Sequence, residues 1–177
     1  MDNFQRDGVM HIDTSVKLHK QKDTGIAYKI IGSEKHKGLA IHRKLKKELK
    51  RDLNTQEDYA RLYAIGIFLI IKDDLDLFDT LIICEDESIV YVKEYLNLLF
   101  EENPDYFNKK VMSISELRKI TGNKKLRSYA DGVAKSYRKR ALKYLGRQQE
   151  GIKLNPIKID YKTIVSLWKE IDNKIKK

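Results

Sequence analysis

Residues 80–84, Thr-Leu-Ile-Ile-Cys, form a continuous apolar run that stops abruptly at Glu85-Asp86-Glu87. No other feature constrains the fold as strongly. Such a run is a strand buried on both faces, with parallel neighbours, ending at a polar sheet edge. The helices that must cover it are found on either side. Thr55, with Asp58 three residues on, forms a capping box with Asp in place of Glu or Gln, so a helix starts there. Its second half is apolar almost all round, which places it centrally. Ser88 to Phe100 is an amphipathic helix, closed by Asn103-Pro104.

Upstream, Val9–Leu18 and Ile26–Ile31 flank the turn-like Gln21–Gly25 and predict a β-hairpin. Gly38–His42 reads either as a third strand or as the start of a helix. Arg43–Leu53 carries leucines at 45, 49 and 53, a thin apolar stripe on a basic helix. Downstream, Lys110–Ile114 reads as a fifth strand, followed by a helical turn over Ser115–Ile120 and a break at Thr121-Gly122-Asn123. Lys124–Leu145 then reads as one long helix. Gly146 and Gly151–Pro156 read as a linker, and Ile164–Ile175 as a last helix. A hairpin start followed by strand–helix alternation predicts an α/β fold, one mixed sheet with helices on its faces.

The length of 177 residues suits one domain over residues 1–147, with residues 148–177 as linker and C-terminal helix packed on it. The face of that helix, with Ile164, Leu167, Trp168, Ile171 and Ile175, would otherwise dock a partner in a larger assembly. Met1–Asp7 is polar with no apolar region behind it, and the longest apolar run, Ala64–Ile71, is too short to span a bilayer. A cytoplasmic protein without membrane association is expected. The oligomeric state is not legible. The single cysteine, Cys84, excludes a disulfide framework and a cysteine-only metal site.

The net charge of +10 is unevenly laid out. Lys35–Arg51 has eight bases and one acid, Asp52–Glu116 has fifteen acids and five bases, and Arg118–Lys153 has twelve bases and two acids. Segregated basic blocks attract phosphates and release counterions on docking. Nucleic acid is therefore the expected partner, gripped by Lys124, Lys125, Arg127, Lys135, Arg138 and Lys139. The competing reading is a lysine-rich surface of the thermophile kind.

Glycine-rich phosphate loops, dinucleotide fingerprints, G-x-S-x-G and H-E-x-x-H are absent. His11, His19, His36 and His42 lack metal-ligand spacing and read as solvated side chains. What remains is three acids, each in a separate element. Asp13 lies within a strand, where aspartate is depleted. Asp86 stands at the carboxyl end of a strand, where ligand sites of open α/β sheets gather. Asp131 is the only acid between Arg118 and Gln149. Each has an ordinary structural role open to it: a turn for Asp13, a cap of the helix starting at Ser88 for Asp86, and a helical pair with Arg127 or Lys135 for Asp131. Brought together, they would repel one another unless a cation sat between them, and hard oxygen ligands suit Mg²⁺ or Mn²⁺.

The hairpin start with Ile12-Asp13-Thr14-Ser15, the strand Leu81-Ile-Ile-Cys-Glu-Asp-Glu-Ser-Ile-Val90 and the motif Leu126-Arg-Ser-Tyr-Ala-Asp-Gly-Val-Ala134 resemble the ribonuclease H-like superfamily. The resemblance is to its uncharacterised microbial branch and spans roughly residues 9–145. It implies a five-stranded sheet of order 3-2-1-4-5 and an acidic metal site built from Asp13, Asp86 and Asp131. A further carboxylate is implied near the start of the first helix after strand three. Glu48 fits if that helix begins near Arg43, and Asp58 or Glu57 if it begins at Thr55; Glu34 is an outsider. The implied activity is metal-dependent hydrolysis of phosphodiester bonds in RNA or DNA. The alternative is a non-catalytic nucleic-acid-binding protein on the same scaffold.

Overall fold

The computed structural model describes residues 8–49, 52–143, 156–157 and 159–176. Gly146 and residues 151–155 of the expected linker, and the far end of the Lys124–Leu145 helix, lie outside the described residues. The fold is α/β, with five strands: β1 (Val9–Thr14), β2 (Thr24–Ile30), β3 (His36–Ile41), β4 (Thr80–Ile83) and β5 (Lys110–Ser113). Their order is β3-β2-β1-β4-β5, as expected. The β1–β2 and β2–β3 pairs are antiparallel, while β4 runs parallel to both β1 and β5. The ambiguous segment around Gly38 is thus a strand. His42 follows it and caps α1 (Arg43–Glu48), its side chain accepting the Lys44 N–H.

One face of the sheet presents Met10, Ile12, Ile26, Tyr28, Leu39, Leu81 and Ile83 to the main core. Against it lie α2 (Gln56–Ile71) and α3 (Ile89–Leu99), with α7 (Tyr161–Ile175) packed on both helices. The Thr55–Asp58 capping box forms in full and starts α2. A β-carbon at Gly66 would lie 2.5 Å from Ile26 Cδ1, so α2 rests close on β2. Ile164 and Ile171 bury fully, and Arg61 of α2 sits between the rings of Tyr95 and Trp168 while bonding Asp172 at 2.6 Å. This is how α7 is fastened to the domain. Ile157 adds a single bridge to Leu39, its N–H donating to the Gly38 carbonyl at 3.0 Å, and so covers part of the β3 edge.

The other face carries Val9, Ile82 and Met112, covered by Ile114 and Leu117 of α5 (Ile114–Thr121), and Ala27, covered by Ala134 and Tyr137 of α6 (Asp131–Lys143). Small residues let α6 approach to backbone contact. A β-carbon at Gly25 would fall 2.1 Å from the Ala134 carbonyl oxygen and 2.7 Å from the Arg138 nitrogen.

The expected helix from Lys124 starts only at Asp131. The preceding residues spend their polar groups elsewhere, which is why they do not coil. The Leu126 carbonyl accepts from Arg118 Nε at 2.9 Å, the Tyr129 N–H points to His11 Nδ1 at 3.5 Å, and the Ala130 N–H bonds Ser128 Oγ at 3.2 Å. Arg127 therefore shares no helix face with Asp131. No helix among the described residues is long and apolar enough to cross a membrane.

Candidate metal centre

Because β1 and β4 are parallel neighbours, their carboxyl ends coincide. Ile12 pairs with Ile83, and the Cys84 N–H donates to the Ile12 carbonyl at 3.0 Å. The next residue on each strand, Asp13 and Cys84, thus projects at the same sheet edge, and the turn after β4 brings in Asp86. One ligand atom from each of Asp13, Cys84 and Asp86 lies within 4.8 Å of the others. Two acids far apart in sequence meet as expected, and a thiol joins them.

Asp13 is 5% exposed. Burial is the main reason its pKa rises from 3.8 to about 6; the nearby Asp86 carboxylate raises it further. Opposing this, the Thr14 N–H donates to the carboxylate at 2.8 Å, and the nearby polar groups of Cys84 and Ser128 also favour its charged form. Asp86 accepts from the Thr14 hydroxyl. The N-cap of α3, Ser88, receives no side-chain cap, so Asp86 is not spent there. Among the described residues no lysine or arginine forms an ion pair with Asp13 or Asp86. Burial, reinforced by both carboxylates, pushes the Cys84 thiol far up, so it stays protonated.

Two groups frame the pair. Tyr63 of α2 is fully buried, and its hydroxyl has no hydrogen-bond partner among the described residues; burial first, and the nearby Asp13, Asp86 and Glu87 carboxylates after it, push its pKa well up. Glu87 accepts the Leu18 N–H at 3.0 Å, and burial raises its pKa. Leu18 belongs to the loop between β1 and β2, which Lys46 of α1 holds from beneath. The Lys46 ammonium contacts the carbonyls of Leu18 (3.1 Å), Lys20 (3.0 Å) and Lys22 (2.7 Å) and Thr24 Oγ1 (2.6 Å). Its burial lowers its pKa to about 8.

The other sequence-derived candidates are not members of this group among the described residues. Glu48 is exposed on α1. Asp58 is spent on the α2 cap, taking the N–H groups of Asn54 and Thr55 and the Thr55 hydroxyl. Glu57 accepts from the Tyr95 hydroxyl. Asp131 pairs with Lys135 at 2.6 Å, although the segment leading into its helix delivers Ser128 to Asp13. Of the expected phosphate-binding residues, Lys124, Lys125, Arg127, Lys135 and Lys139 are exposed and Arg138 is half-buried.

Two expectations are corrected. His11 is not solvated: it is 1% exposed, and burial lowers its pKa to about 4. It lies on the α6-covered side of β1 and stays neutral under Tyr129. Lys46, counted within the first basic block, is buried by its carbonyl ligands and does not reach solvent. The residues not foreseen are Cys84, Tyr63, Ser128 and Thr14. For Cys84 the signal was present, since residues 84 and 86 share one side of an extended chain.

The donor set fits a divalent cation. Among the described residues two carboxylates with no cationic ion-pair partner confront each other, the hydroxyls of Thr14 and Ser128 stand near them, and the Tyr63 hydroxyl has no partner. A scan against protein-family models matches none, and searches of curated proteins and of solved structures find no match.

Proposed function

We propose that the chain is a divalent-metal-dependent nuclease that hydrolyses phosphodiester bonds of RNA or DNA on a ribonuclease H-like scaffold, with Mg²⁺ or Mn²⁺ as its ion. The observation that carries this reading is the meeting of Asp13 and Asp86 at the carboxyl ends of β1 and β4, with no lysine or arginine ion-paired to either among the described residues. Asp13 and Asp86 would hold the ion, which supplies water activation and charge neutralisation in phosphoryl transfer. Thr14 and Ser128 orient the two carboxylates. Tyr63, fully buried, can offer its hydroxyl to a water but not to the substrate. Lys124, Lys125 and Arg127 bind the phosphate backbone on the approach.

The test is cleavage of labelled RNA, DNA and hybrid substrates with Mg²⁺ or Mn²⁺. Chelation should abolish it, and Asp13→Asn should lower the rate more than about a hundredfold, beyond what loss of an outer-shell partner costs. Equal activity in Asp13→Asn rejects the proposal. One observation favours a second reading. Asp131 is paired with Lys135, and Glu48 and Asp58 are not members of the cluster, so among the described residues it has two carboxylates and not four. A non-catalytic nucleic-acid-binding protein would show binding, no cleavage with either metal, and no effect of Asp13→Asn on affinity.

A further inference from the structure

We propose that Tyr129 is a stacking platform that seats one unpaired base of a single-stranded nucleic acid beside the carboxylate pair. This names the substrate class of the site and rests on the nucleic-acid reading above. Tyr129 is 46% exposed, although the residues around it are held fast. Its ring meets the buried His11 edge-to-face, with centroids 5.1 Å apart and planes at 88°. Its own N–H points at His11 Nδ1. Ser128 before it lies near enough to Asp13 to favour its charged form, and Ala130 after it is fully buried, its carbonyl accepting the Ala134 N–H of α6. Through His11 the ring is therefore fixed against β1, two residues before Asp13.

The surroundings match a strand of nucleotides. Lys124, Lys125 and Arg127 precede the tyrosine in the same non-helical segment and are exposed. Among the described residues none of the three forms an ion pair, whereas Lys37, Lys93 and Lys174 are all engaged with acids. Cations for the backbone and one rigid aromatic for a base are the two components of single-strand recognition. A duplex keeps its base faces stacked on one another, so the same ring has nothing to receive there.

The experiment is fluorescence anisotropy of labelled oligouridylate and oligothymidylate and of a hairpin duplex, in chelator so that nothing is cut. Tyr129→Ala should weaken single-strand binding about five- to 150-fold, the cost of one lost base–aromatic stack. Tyr129→Leu, which keeps apolar bulk over His11 but has no π-face, should bind as poorly, while Tyr129→Phe should match wild type. Duplex binding should not respond. Wild-type affinity in Tyr129→Ala or Tyr129→Leu, or an equal loss for duplex, overturns the platform and leaves the nuclease reading intact. Absence of any nucleic-acid binding by wild-type protein overturns both.

Discussion

At the scale of single residues, β1 carries two opposed titrations two positions apart. The folded state holds Asp13 near pKa 6 against 3.8, so the metal-free protein bears a cost that is absent below pH 3.8 and complete above about 6. Each shifted unit is worth about 1.4 kcal/mol, making that cost about 3 kcal/mol. His11 does the reverse. Its folded pKa near 4 lies below 6.5, so its contribution is present above pH 6.5 and lost as pH falls toward 4, again about 3 kcal/mol. In wild type the two slopes oppose and nearly cancel. Asp13→Asn should therefore be more stable than wild type at pH 7 in chelator and should lose about 3 kcal/mol on acidification from pH 6.5 to 4. Urea denaturation across that range checks it; a flat curve for the variant would contradict the burial argument. Asp13 and Asp86 were legible because an acid in or just after an apolar strand stands out. Tyr63 was not, because an aromatic in a helix apolar all round carries no mark of the end of its ring that faces the acids.

Among the elements, α6 is the one whose placement decides the site, and its seat is a floor without side chains. Gly25 leaves no room for a β-carbon against the Ala134 carbonyl. Gly25→Ala should force α6 outward and cost about 1–3 kcal/mol, the usual range for overpacking. It should also loosen Ser128 from Asp13. Thermal denaturation reads the first effect, and metal titration by calorimetry the second; an unchanged midpoint would show that the helix shifts at no cost. The helical pattern of the sequence is right over α6 but starts the helix seven residues too early, at Lys124 instead of Asp131. That pattern reports which residues are buried, not whether their amides bond within a helix or to Arg118, His11 and Ser128. The α2 start was legible for the opposite reason, because a capping box is a local hydrogen-bond unit written in side chains.

For the whole molecule, the mixed sheet with helices on its faces followed from element order, whereas its strand order was what the family resemblance implied. Charge segregation is likewise a whole-molecule property, and the fold refines it. Lys46 and Lys37 are withdrawn from the first basic block, one by carbonyls and one by Asp74, so that block offers fewer cations than its sequence suggests. Replacing Lys124, Lys125 and Arg127 together with Gln should flatten the slope of log affinity against log salt by about two for single strands. An unchanged slope would place the phosphate contacts elsewhere. The topology has one more consequence. Asp13, Asp86 and Ser128 arrive on segments separated by most of the chain, and only β1–β4 pairing followed by docking of the α6 segment unites them. On the proposed reading an ion would have no facing carboxylates to bind until the chain through Asp86 had emerged and β4 had paired with β1, so metal would be captured after that pairing and could not serve as a nucleus for the chain.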